Sequence, residues 1–339
     1  ILKREELLAK LLELGYPNTL SPADGTIPAE ISAVDPKFKM PQVWKTSLAI
    51  DYNFPTSFPF SISAEGIYNK TINGVVIRDW SIWSADGFAR LNGADNRPLY
   101  SHYKQTYVKG TDANGAAIVE NLPSAYVLEN THKGYGYSGT VTVNMRPIPE
   151  LSLMAAYTHT VSKEVTGMPG SNASSVLNYL GTVYGPNDPG LHNSQYVTPD
   201  RFIASITHND KSGNHFSFIY ETWRGGYNYT YMTANDMNGD GYNYDLIYIP
   251  TDKQVADGDF RFVSEDDAKR FMDFVHADPY LKKNQGKYAE AYSVYSPWGH
   301  RLDFSYKHDF KVKVGNSTNT LQLSFDVKNV LNLFNSSWG

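Results

Sequence analysis

The run Asp236-Met-Asn238-Gly-Asp240-Gly241-Tyr-Asn243-Tyr-Asp245 gathers hard oxygen donors into one turn. Oxygen-bearing side chains at its first, third and fifth positions, with glycine at the sixth, follow the order of a calcium loop. Carboxylate and amide oxygens suit Ca2+, and tight curvature turns successive side chains inward. The acid that usually closes such a loop at its twelfth position is replaced by Ile247, and Asp245 at the tenth is the candidate substitute. An exposed turn rich in Asn, Asp and Gly has the same composition. Carboxylates this crowded need a counter-ion or wide solvation, so Asp236, Asn238, Asp240 and Asp245 are the expected ligands of a structural calcium ion.

A second candidate set is aromatic. Trp80 and Trp83 form one group, and Tyr227, Tyr229 and Tyr231 another. Such rings stack on sugars or grip peptides, and they also pack long loops against one another. No G-x-S-x-G, H-E-x-x-H or paired-carboxylate motif appears, so binding rather than catalysis is expected. His300 beside Trp298, and His208 and His215 flanking a short turn, read as interfacial or surface residues.

Composition narrows the setting. The chain has 339 residues, 14% aromatic and 19% charged, with 25 Tyr and no Cys. Disulfides, thiolate metal sites and cysteine nucleophiles are thereby excluded. A net charge of −5 without a Lys/Arg cluster gives no nucleic-acid footprint. No apolar run reaches the roughly 20 residues of a membrane helix. Strands that cross a membrane are half polar and escape that criterion.

The elements that must position these residues are strands. In Val43 to Phe54, Trp44, Thr46, Leu48, Ile50, Tyr52 and Phe54 alternate with Lys45, Ser47, Ala49, Asp51 and Asn53. The same period of two recurs from Phe60, Tyr135, Leu151, Arg201, Phe216, Leu302 and Leu321, in segments of about ten residues. Short connections (55–59, 147–150, 209–214 and around Gly315) alternate with long ones (73–130, 164–195 and 227–297). Short periplasmic turns and long extracellular loops predict that asymmetry. Trp44, Phe54, Tyr135, Tyr137, Trp223, Tyr227, Trp298 and Phe310 gather at strand ends, as interfacial girdles do. With short turns periplasmic, the last strand runs outward to a loop near Ser336, and an inward strand is expected beyond Gly339 and others before Ile1. Amphipathic helices are expected over Leu2–Leu14 and Ser264–His276, folding over the barrel mouth, the second opened by Ser264 and Asp267.

Specific segments carry a resemblance. D-V-K-N-V-L-N-L-F-N (Asp326 to Asn335) resembles the penultimate-strand motif of TonB-dependent outer-membrane transporters. Val34 to Tyr52, N-G-D-G-Y-N-Y-D-L-I-Y-I-P (Asn238 to Pro250) and S-P-W-G-H-R-L-D-F (Ser296 to Phe304) are similar to the Oar-like branch common in Bacteroidetes. Members of that branch often carry arginines before the Pro-Trp, where this chain reads A-E-A-Y-S-V-Y (289–295). The resemblance implies an all-β transmembrane antiparallel barrel of about 22 strands with a plugged lumen. Residues 1–339 would be its C-terminal part, in the outer membrane of a Gram-negative bacterium. It implies uptake of one ligand too large for porins, a peptide or glycan, driven through the TonB–ExbB–ExbD complex by an N-terminal part outside this chain. Outer-membrane lipid and a surface lipoprotein are the implied partners. Lumen groups such as Asp51, Glu65, Asp303, Lys307 and Asp326 would face water or the plug. A surface adhesin or assembly scaffold, a soluble glycan-binding or glycan-cleaving β-protein and a passive porin are the rival readings.

Overall fold

The computed structural model describes residues 4–15 and 28–335, and each of the eight alternating segments is a strand in it. They are β1 (Gln42–Asn53), β2 (Phe60–Asp79), β3 (Tyr135–Ile148), β4 (Leu151–Glu164), β5 (Asp200–Asn209), β6 (Asn214–Arg224), β7 (Gly299–Val314) and β8 (Ser317–Val327). Each pairs antiparallel with the next in the chain. The resulting wall is part of an open, mixed, 11-stranded sheet in which β1 and β8 do not meet. Its parallel pair joins Glu30–Val34 to Ser124–Thr131, which in turn pairs with the far end of β2.

Register carries the alternation across the whole wall. Phe60, Met145, Leu153, Ile206, Phe218, Phe304 and Val327 are successive cross-strand partners from β2 to β8. A parallel row runs Tyr52, Ile62, Val143, Ala155, Ala204, Tyr220 and Leu302. On the other face, Ser152, Thr207, Ser217, Ser305 and Asp326 succeed one another. Hydroxyls meet there across strands, Thr140 with Thr158 at 2.9 Å and Thr207 with Ser217 at 3.2 Å. Arg201 and Arg301 converge on Glu221 of the same face. Because the side-chain period is two, a one-residue slip would exchange these faces, so the pattern itself pins the register.

The apolar face is bare. Leu48, Ile206, Phe218 and Leu323 are 72%, 50%, 42% and 64% exposed, so no layer of the described residues covers them. The polar face is hollow. Ser61, Asn144, Ser152, Met154, Ser205 and Thr207 help line a cavity of about 660 Å3 near the short turns. A smaller one, about 250 Å3, is lined by Ser217, Ile219, Asp303, Ser305 and Asp326. Trp223 departs from the expected girdle. It faces Arg201 in the register and lies over Gly299, on the polar side. Its parity with Glu221 requires this.

The buried core sits at one end, in the long connections between β2 and β3, β4 and β5, and β6 and β7. Ile77, Ile82, Tyr126, Val176, Leu177 and Tyr242 form one cluster, drawing on all three connections. Leu180, Val183, Leu246, Ala291 and Tyr292 form a second, and Ile249, Met272, Val275, Leu281 and Ala289 a third. The first connection starts later than expected, because β2 continues through Asp79 before its ladder is taken over by Ser124–Thr131. The helix over Glu265–Ala277 has Ser264 as its N-cap, accepting from the Asp267 amide at 3.1 Å, and buries Met272 and Val275. Pro279 opens the next helix, Pro279–Lys283. The N-terminal helix spans Arg4–Glu13 with Leu8 and Leu12 exposed; Leu2, the side chain of Leu7, Ser336 and Gly339 fall outside the described residues.

Asp79 joins these parts. One carboxylate oxygen accepts from the Ser81 amide (2.9 Å), the Ser81 hydroxyl (2.7 Å) and the Ala125 amide (2.9 Å). The other accepts from the Tyr242 hydroxyl at 2.9 Å. Its main chain is clamped by the side-chain amide of Asn187, which accepts from the Asp79 N–H and donates to the Asp79 carbonyl, both at 2.8 Å. Burial alone would raise the pKa of this carboxyl, but the Ser81, Ala125 and Tyr242 donors outweigh it and hold the pKa below the ordinary value. A depressed carboxylate stabilises the fold above its unfolded pKa of about 3.9 and loses that contribution as pH falls through the folded value. Protease resistance of the long connections should therefore drop on acidification from pH 5 toward pH 3. Asp79→Ala should remove about 2–4 kcal/mol at neutral pH by orphaning buried donors, and should flatten the acid limb in the same proteolysis assay.

Candidate functional site

The oxygen-rich turn lies in the third connection with Asn238, Asp240 and Asp245 buried and Asp236 exposed. Gly239 and Gly241 take φ of +80° and +83°, and Tyr244 takes +71°. Adding a Cβ to Gly239 would bring it to 2.7 Å from the Tyr100 carbonyl, so the turn needs glycine there on both counts. Asp236 accepts from the amides of Asn238 (3.2 Å) and Gly239 (2.7 Å) on one oxygen and Gly241 (2.9 Å) on the other. Asn238 accepts from the Asp240 amide at 3.0 Å, and Asp240 from the Tyr242 amide at 2.8 Å. Each side chain thus organises the backbone just ahead of it, as Asx-turns do. Asp245 accepts from the Met237 amide at 2.7 Å and closes the turn.

The counter-ion is Arg97, a residue the sequence pattern did not single out. It is fully buried, 3.0 Å from Asp95, and donates to the Leu246 carbonyl at 2.8 Å. Its other terminal nitrogen lies 3.5 Å from Asp245 without a hydrogen bond. The guanidinium also lies over the Tyr288 ring, 5.7 Å from its centroid. Burial pushes the Asp245 carboxyl up to about 6, against the lowering influence of the Met237 amide and Arg97. Burial pushes Asp240 further, to about 7, with Asp245 and Asp236 adding repulsion. Chemically the turn pairs two buried acids, Asp240 and Asp245, with one buried cation, and burial favours a proton on the acids. Among the described residues, no three His, Asp or Glu side chains gather as a metal-holding group.

The two aromatic groups are not brought together by ring contacts. Trp80 donates its indole N–H to Glu129, and Trp83 packs edge-on to His102 at 6.1 Å. Both remain about half exposed. Tyr231 is structural: it stacks with Tyr280 at 6.0 Å and donates to Asp278 at 2.8 Å. Tyr227 and Tyr229 meet edge-on at 5.4 Å, and Tyr196 from the second connection joins Tyr227 at 5.8 Å. These three are the exposed aromatic cluster; Tyr196 had no sequence neighbour to announce it. His300 accepts or donates at 2.8 Å with Tyr220, and His215 pairs with Asp309 at 3.0 Å.

No family, curated protein or solved structure matches the chain in any of the three comparisons. Replacing Arg97 by methionine strands Asp95 and Asp245 without a counter-ion. It should destabilise the third connection by about 3–5 kcal/mol. Adding Asp245→Asn to that variant should recover part of the loss, a coupling that thermal melts of the four proteins of the cycle would measure.

Proposed function

We propose that the chain is the C-terminal part of a TonB-dependent outer-membrane transporter, forming barrel wall and extracellular loops that admit a ligand too large for porins. The observation that carries this reading is the set of apolar rows running across the eight-stranded wall, exposed and covered by no second layer among the described residues. In water so large an apolar face would drive association; against hydrocarbon it is the required surface. The hydroxyl-lined concave face suits a wet lumen. The concentration of all three long connections at one end suits a barrel with short turns on the other side. The open edges of β1 and β8 would pair with further strands to close the wall, since unpaired edges do not persist in lipid.

In this reading the ligand is held by the long connections and not altered, with Tyr227, Tyr229, Trp80 and Trp83 as its stacking surfaces. The N-terminal part and the TonB–ExbB–ExbD complex supply the drive, outer-membrane lipid is the solvent of the apolar face, and a surface lipoprotein is a further partner. Deleting the TonB-binding segment of the full-length protein should stop uptake of its ligand while leaving surface adhesion intact; the opposite outcome favours an adhesin or scaffold.

Two neighbouring residues test the lipid contact directly. Ala204→Arg, on the apolar face, should cost about 2–4 kcal/mol in folding into lipid vesicles, read by denaturant titration. Ser205→Arg, on the concave face, should cost little. Equal tolerance of both, or protein that stays monodisperse without detergent, would sink the assignment.

A structural calcium ion in the Asp236–Asp245 turn belongs to the same proposal. Asp236, Asn238 and Asp240 would hold it, with Asp245 shared with Arg97. Chelator-treated protein should gain about 2–3 kcal/mol at a calcium concentration a hundred times Kd, and Asp240→Asn should abolish the gain. Indifference to calcium would remove the ion and leave the wall untouched.

A further inference from the structure

We infer that a pocket in the long connections is an anchor site for a bulky apolar side chain carried on a peptide. The inference rests on the transporter reading and adds the class of its ligand. The pocket, about 350 Å3, lies where the first and third connections meet. Leu91, Met237, Ile247, Tyr248, Phe260 and Phe271 are its apolar lining; Thr233, Asp259 and Asp95, the last already paired with Arg97, also line it. Tyr248 and Phe260 are stacked at 5.6 Å and 16°, so each ring already has one face against the other. A lining of aliphatic and aromatic groups fits one buried side chain. The exposed lining is mainly apolar, which suits an apolar side chain better than a ring of hydroxyls.

The rim supplies what a peptide main chain needs. Asn92 and Gly93 line the pocket, Gly93 necessarily with its backbone, and the backbone N–H and C=O groups of both make no hydrogen bond among the described residues. Gly93 has φ of +146°, and a Cβ there would meet only the Asp259 carbonyl at 4.0 Å, so its backbone lies open. Arg261, also on the rim, is exposed and makes no ion pair among the described residues, although Asp259 stands two positions away. A free guanidinium beside an apolar pocket is complementary to a carboxylate attached to the anchored residue. Trp, Phe or Leu at or next to a peptide C-terminus has that combination.

The full-length protein in detergent micelles can be titrated calorimetrically with three probes: Gly-Gly-Phe, Gly-Gly-Gly and maltohexaose. Gly-Gly-Phe should bind saturably and at least ten-fold more tightly than Gly-Gly-Gly. Asn92→Trp, which fills the pocket from an exposed rim position, should weaken Gly-Gly-Phe at least ten-fold, and Asn92→Ser should not. Amidating the probe and Arg261→Ala should each weaken binding several-fold, and together no more than either alone. No saturable Gly-Gly-Phe binding up to millimolar concentration, or binding indifferent to Asn92→Trp, overturns the inference. Maltohexaose binding that Asn92→Trp abolishes would assign the pocket to a glycan instead. All these variants lie away from the wall, so insertion into lipid should be unchanged, and failure here is distinct from failure of the Ala204→Arg test.

Discussion

Four donors converge on the buried carboxylate of Asp79, and through it the wall is tied to everything above it. Asp79 is the last residue of β2, so its backbone direction is set by the sheet. Its oxygens hold the Ser81 turn and the start of the Ser124–Thr131 strand from the first connection, and Tyr242 from the third. Asn187, from the second, grips its main chain. Ordering three long loops separately would cost conformational entropy with little apolar burial to offset it. Gathered around one anchored charge, they share a core.

The chain therefore solves two solvation problems with one sequence. In the long connections the ordinary rule of a globular protein holds: Ile249, Val275 and Leu281 are wholly buried, the Asn228 side-chain amide donates to the Val197 carbonyl, and Arg97 is held by Asp95 and the Leu246 carbonyl. In the wall the rule is inverted. Its large apolar side chains are exposed, and hydroxyls and ion pairs line the hollow side. Strand propensity serves both, since β-branched and aromatic residues suit a pleated surface whatever covers it.

The wall was legible in the sequence because alternation is a local property. A strand with one apolar face writes its period into successive residues, so Val43 to Phe54 or Leu321 to Val327 can be read without knowing their partners. Ser264 was legible for the same reason, since a cap acts three residues ahead. Trp223 shares the parity of Glu221, and that parity places it on the polar side. The packing of the three long connections was not legible. Asp79 meets Tyr242 across 163 positions and Arg97 meets Leu246 across 149, and a buried charge has no signature until its partner is known. The Asp236–Asp245 turn shows both halves: its Asx-turns follow from spacing, whereas its counter-ion comes from another loop. The pocket around Phe260 is likewise built from residues that have no common spacing.

The interlocking of the three connections also governs how the end of the molecule that bears them can move. Loops that each carried their own contacts could swing aside one at a time, like petals. Here Tyr242, Tyr126 and Val176 come from different connections yet occupy one packed cluster, so displacing any of them opens a void beside the others. Separating one connection from the other two consequently costs packing in all three.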